Sequence, residues 1–200
     1  MNRKKHQGKL FSSSYSPPAT SGSNPEISLS KDLLRSWQNR IHNYQSNLFK
    51  LVPSDQKQGS LFPQAEITSF ETFEPLKLTP LPLSFWRWPE APHNGPAIYL
   101  VMDRLENCDS HILLYIGETL AADRRWKGEH DCKAYLASYS EALNDAGIKS
   151  QLSIRFWSDV PADTKCRRKV ESELIKHWLP PFNKETRARW STPFTAELAN

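Results

Sequence analysis

The chain has 200 residues, a formal charge of +4, 38% hydrophobic residues and 15 prolines. This composition suits one compact domain with irregular flanks, and the charge is far from a histone-like balance, so charge placement says more than the total. No apolar run nears the roughly 20 residues of a membrane helix. The basic start Asn2-Arg3-Lys4-Lys5-His6 leads into serines and prolines in place of an apolar signal core. Cys108, Cys132 and Cys166 are widely spaced and include no Cys-x-x-Cys, which argues against a disulfide framework or structural zinc, even with His130 and His177 counted as further ligands. A protein of the reducing cytoplasm, with no membrane partner, is expected.

Residues 1–30 carry the serine- and proline-rich run Ser12 to Pro18 and read as a disordered tail, with too little apolar surface to offset the entropy of ordering. Ser30 or Asp32 can cap an amphipathic helix over 31–50, whose Leu33, Leu34, Trp37, Ile41, Tyr44, Leu48 and Phe49 recur at three-to-four spacing and predict a face packed on the core. Residues 51–93 hold prolines throughout, resist long helices and are expected to wrap the core in extended form. Within them, Phe85-Trp86-Arg87-Trp88 is expected to cover apolar surface, with nucleobase stacking as the alternative.

The runs Ala97 to Val101 and Ile112 to Ile116 predict a β-hairpin, with the polar stretch Asp103 to Ser110 between them. Thr119 or Asp123 can start a helix through Leu120, Arg124, Arg125 and Trp126; a second runs from Ala134 to Leu143 and closes at Gly147. Gln151 to Trp157 alternates as a third strand. A last helix spans about Asp163 to Trp178, with Cys166, Val170, Leu174 and Trp178 as its apolar row, and Pro180 and Pro181 stop it. Residues 186–200 read as a C-terminal tail.

Along this order Ala97-Ile98-Tyr99 is followed by Tyr115-Ile116-Gly117, by Arg125 ten residues after Tyr115, and by Glu171, with Asn183 twelve residues further on. Arg125 offers a permanently charged planar fork suited to a phosphate; Arg124 diverges from it by about 100° on a helix, so only one points into a cleft. Glu171 flanks the apolar row of the last helix, where a carboxylate can hold Mg²⁺. Glu173, about 200° round the helix, cannot share that site. A tyrosine near its usual pKa of about 10 is a poor base, so a nearby cation must lower it before Tyr99 can take a proton from water.

The pattern resembles the GIY-YIG nuclease family, over roughly residues 94–185 and with Ala97 standing where the family has its first glycine. The resemblance implies an α+β fold: a small three-stranded antiparallel sheet flanked by helices, here with an irregular N-terminal extension containing one helix. It also implies a phosphodiester-hydrolysing endonuclease that uses Tyr99, Tyr115, Arg125, Glu171 and Asn183. Glu171 is then the ligand of Mg²⁺, with Mn²⁺ as a substitute. The family gives the first tyrosine the activation of the nucleophile and the second a positioning hydrogen bond, an assignment left open here. Asn183 either delivers its amide to the site or ties its turn to the sheet, and His130 stays a candidate acid or base.

DNA is the expected partner, met through phosphate contacts from Arg124, Lys127, Arg167, Arg168, Lys184 and Arg187, with Lys165, Lys169 and Arg189 nearby. Gln58-Gly59-Ser60-Leu61-Phe62 resembles the peptide by which bacterial repair proteins bind the replication sliding clamp, and so favours repair or recombination. A restriction-type endonuclease is the alternative, and a non-catalytic nucleic-acid-binding module is the competitor from another class.

Overall fold

The structure, a computed structural model, describes residues 29–50, 73–90, 92–106, 110–127 and 131–194. The tail up to residue 28, the clamp-like peptide with Gln58, Leu61 and Phe62, and also Cys108 and His130, lie outside the described residues. Strands β1 (Ala97–Leu105), β2 (His111–Thr119) and β3 (Ser150–Trp157) form an antiparallel sheet in the order β2-β1-β3. Helices α1 (Lys31–Lys50), α2 (Ala122–Arg125), α3 (Asp131–Asp145) and α4 (Thr164–Trp178) surround it, so the fold is α+β.

β1 is central and buried from Ala97 to Asp103, which explains an unbroken apolar run where a half-exposed strand would alternate. On one face Tyr99, Val101, Ile112 and Leu114 join Leu34, Trp37 and Ile41 of α1 and Tyr135, Tyr139 and Leu143 of α3. On the other, Ile98, Leu100, Met102, Leu113 and Ile116 meet Leu174, Ile175 and Trp178 of α4. The stripe α1 buries includes Gln38 and Gln45, whereas Leu33 is exposed.

Two expectations from composition are corrected. Asp103, Arg104 and Leu105 belong to β1, not to the hairpin turn. Asp103 is accommodated because its carboxylate accepts from Tyr139 Oη (2.6 Å), Ser150 Oγ (2.9 Å) and the Gln151 N–H (2.8 Å), while Gln38 Nε2 donates to Tyr139 (2.6 Å). Burial still pushes the Asp103 carboxyl above its ordinary range. Residues 186–194 are no tail: Trp190 and Phe194 are buried, and Phe194 meets the Trp37, Tyr139 and Phe182 rings edge-on at 5.3, 5.4 and 6.0 Å. Those rings offer more apolar contact than water would.

The proline-punctuated segment bridges the outer edge of β3 through Leu81, which exchanges two 2.8 Å backbone hydrogen bonds with Ile154. Phe85 is buried against Phe156 (5.2 Å), as its aromaticity predicts, while Trp88 stays exposed. α3 is followed by Gly147 at φ +61°, a left-handed position that suits glycine.

Candidate active site

The site begins at the outer edge of β2, where three side chains take up N–H and C=O groups of the strand. Gln45 accepts from the Leu113 N–H (2.7 Å) and donates to the Leu113 and Trp178 carbonyls, both at 3.0 Å. Asn183 accepts from the Ile116 N–H (2.9 Å) and donates to the Ile116 carbonyl (2.8 Å), as a neighbouring strand would. Glu171 Oε1 accepts from the Glu118 N–H at 3.0 Å. Closing an edge in this way prevents pairing with another chain and pins the three groups in register.

Asn183 reaches β2 because α4 ends abruptly. Asp163 caps its start by accepting from the Cys166 N–H (2.8 Å), and Leu179 adopts φ +47° after its last turn. That left-handed turn costs about 1–2 kcal/mol for a residue with a Cβ. It turns the chain into Pro180-Pro181 so that the Phe182 N–H meets the Leu114 carbonyl (3.0 Å). Of the two expected roles for Asn183, its hydrogen bonds supply the tie to the sheet; its amide oxygen and nitrogen are both engaged with Ile116, which corrects its inclusion among the catalytic groups.

A register shift between Val101 and Met102 brings Tyr115 onto the Tyr99 side of the sheet. Without that bulge, the alternation from Ile112 and Leu114 would send Tyr115 to the opposite face. The two rings then stack at 5.9 Å and 27°. Gly117 pairs with Tyr99 across the strands, and a Cβ there would collide with Tyr99 Cζ and Oη and lie 2.8 Å from Tyr115 Cε1. Ala97, by contrast, has its methyl inside the core.

Arg125 Nε donates to the Tyr99 hydroxyl at 3.3 Å, and Tyr99 is in turn hydrogen-bonded to Tyr115. Tyr99 is fully buried; Tyr115 lines a cleft of about 450 Å³ together with Glu171 and Asn183. Burial pushes the Tyr99 hydroxyl far above its ordinary value, and Tyr115 adds to that against the pull of Arg125. Tyr115 is also pushed up, again chiefly by burial. Arg125 by itself does not meet the condition for Tyr99 to act as a base: its guanidinium pulls the hydroxyl down, and burial outweighs it. Both hydroxyls are neutral donors at neutral pH, and Tyr115 is the one that faces the cleft.

The Glu171 carboxyl is pushed up to about 7, first by burial, with the charges of Glu118 and Glu185 adding to it against the Glu118 N–H. Among the described residues its Oε2 has no hydrogen-bond donor. A partly buried carboxylate with one oxygen uncommitted can serve as a ligand for a hard divalent cation that keeps most of its waters. Among the described residues no cluster of three or more His, Cys, Asp or Glu forms a fuller cage. Glu173 points elsewhere and pairs with Lys176 (2.9 Å).

The expectation for Arg167 is corrected. It is fully buried, holds Glu118 Oε2 at 3.0 Å and donates to the Pro161 and Ala162 carbonyls, both at 3.0 Å, so it cannot meet DNA phosphate. Its neighbour Arg168 is exposed and pairs with Glu118 Oε1 at 3.1 Å. Arg124, Lys127 and Lys184 are exposed, and Arg187 is half-buried against the Tyr135 ring. Glu118 and Gln45 went unforeseen. Glu118 directly follows Tyr115-Ile116-Gly117 in sequence, yet its part depends on α4 lying beside β2. Compared with protein-family models, with curated proteins and with solved structures, the chain matches none.

Proposed function

We propose that the chain is a metal-dependent DNA endonuclease of the GIY-YIG kind, acting in repair or recombination. What carries it is the meeting of four groups at one end of β2: Tyr99 and Tyr115 stacked over Gly117, Arg125 on Tyr99, and Glu171 on the next N–H along the strand. Hydrolysing a phosphodiester requires neutralising the charge that builds on the phosphorus oxygens and positioning an attacking water. Arg125 supplies charge; Tyr115, a neutral donor on the cleft wall, orients a phosphate oxygen or the water by hydrogen bonding. Tyr99 acts behind it, holding Tyr115 and Arg125 in place. Glu171 would hold Mg²⁺ or Mn²⁺, which when bound screens phosphate charge and acidifies water.

Arg124, Lys127, Arg168, Lys184 and Arg187 would meet the DNA backbone, so binding weakens steeply with salt. Gln58, Leu61 and Phe62 would carry a clamp contact. The test is a panel of supercoiled, branched, single-stranded and duplex DNA incubated with Mg²⁺ or Mn²⁺. Wild type should cut at least one and Glu171→Ala none; no cleavage by wild type, or equal cleavage by the variant, would sink the proposal.

A further inference from the structure

Two consecutive arginines of α4 converge on one residue of β2. Arg167 Nε and Nη2 both lie 3.0 Å from Glu118 Oε2, and Arg168 Nε donates to Oε1 at 3.1 Å, so both carboxylate oxygens are engaged. Arg167 has no exposed surface and is itself fixed by the Pro161 and Ala162 carbonyls just ahead of α4. The same strand residue holds Glu171 Oε1 through its N–H. Arg167 and Glu171 are one helical turn apart and share a face of α4. The side chain and the backbone of Glu118 thus grip successive turns of one helix.

Apolar contacts already seat this helix, since Leu174, Ile175 and Trp178 pack on Ile98, Leu100 and Ile116. Such contacts have no direction. A buried ion pair often contributes no more stability than apolar groups of the same volume, so what Arg167 and Glu118 add is orientation. A slip of α4 by one residue would turn Glu171 by about 100° away from the Glu118 N–H, and the Arg167 contact with Glu118 opposes that slip. We infer that Glu118, clamped by Arg167, is a positioning residue for Glu171, which it sets with one carboxylate oxygen on the strand and the other left for a divalent cation. The cation belongs to the endonuclease proposal, on which this role rests. Partners that orient a metal ligand in this way are worth about 10–100-fold in metal affinity.

The experiment uses the full chain and Arg167→Met, which removes the clamp and keeps the bulk. In EDTA, the amide proton of residue 118 is followed by NMR, with Glu171→Ala marking its position when the acceptor is gone. In Arg167→Met it should move most of the way to that mark. The Mn²⁺ concentration for half-maximal single-turnover cleavage should rise at least about tenfold. Charge alone predicts the opposite sign, because removing a nearby cation draws Mn²⁺ in more tightly. Arg155→Met, which removes a buried arginine from the other edge, should leave both readings as in wild type. If Arg167→Met does not fold, Arg167→Met combined with Glu118→Leu replaces both charges by apolar groups; it is read against the same pair carrying Glu171→Ala, with the same shift and rise expected. An unmoved amide, or a Mn²⁺ requirement that is unchanged or lower, overturns the positioning role. A shifted amide in a chain that cuts none of the DNA panel removes the endonuclease proposal and leaves the hold on Glu171 standing.

Discussion

The two edges of the sheet are closed by different means. On the β3 side, Leu81 pairs with Ile154 through the backbone, and Arg155 Nη1 donates to the carbonyls of Pro75, Leu76 and Leu78 at 3.3, 3.1 and 2.8 Å. On the β2 side, most of the groups are side chains from distant parts of the chain, Gln45, Asn183 and Glu171, with one backbone bond from the Phe182 N–H to the Leu114 carbonyl. A backbone strap protects an edge and does little more. Side chains that close an edge are themselves positioned by it, and at β2 one of them is the candidate metal ligand. The β2 edge thus fixes the position of that candidate ligand.

The sharpest way to break this comparison is Glu171→Gln, which keeps an oxygen for the Glu118 N–H but removes the charge. Single-turnover cleavage should fall about 10²–10³-fold, the size of losing one transition-state stabilising group, while the denaturation midpoint holds or rises. A large loss of stability would mean that Glu171 serves the edge alone. Asn183→Ala reverses the pattern. It leaves the buried N–H and C=O of Ile116 without partners, at about 2–4 kcal/mol in urea unfolding, and the fraction still folded should cut within about tenfold of wild type.

The pH response comes next in size. Because the folded Glu171 pKa of about 7 lies above its ordinary value of 4.5, the folded state binds the extra proton between those values. This group's contribution to stability is therefore complete below about pH 4.5 and lost as pH rises through 7. Without metal, wild type should lose stability across that window and Glu171→Gln should lose less. With subsaturating metal, cleavage should fall as pH is lowered, because protons compete for the carboxylate, and raising the metal concentration should shift the fall to lower pH. Smallest is Arg155→Met on the other edge, expected to cost about 1–2 kcal/mol with cleavage unchanged. A cleavage defect there would show that the two edges are coupled.

Apolar runs flanked by polar turns made the hairpin legible, and periods of 2 and 3.6 the third strand and the last helix, all within four residues at their ends, because these patterns are local properties of the chain. The spacing of Tyr115, Arg125, Glu171 and Asn183 likewise pointed to residues that the fold gathers at one strand end. Other features were invisible to that logic. Asp103 looked like turn polarity until Tyr139, 36 residues away, supplied its hydrogen bond. Trp190 and Phe194 looked like a tail, and only the rings they meet on α1 and α3 make them core.

The sequence by itself determined which residue types were available and where helices and strands run. Tertiary structure decided which of them face the cleft. The bulge in β2 turned Tyr115 toward Tyr99, burial set Arg167 on Glu118 while leaving Arg168 in solvent, and the left-handed turn at Leu179 spent Asn183 on the sheet edge. Each outcome depends on desolvation and hydrogen bonds between segments far apart in the chain, and these energies exist only once the segments have packed.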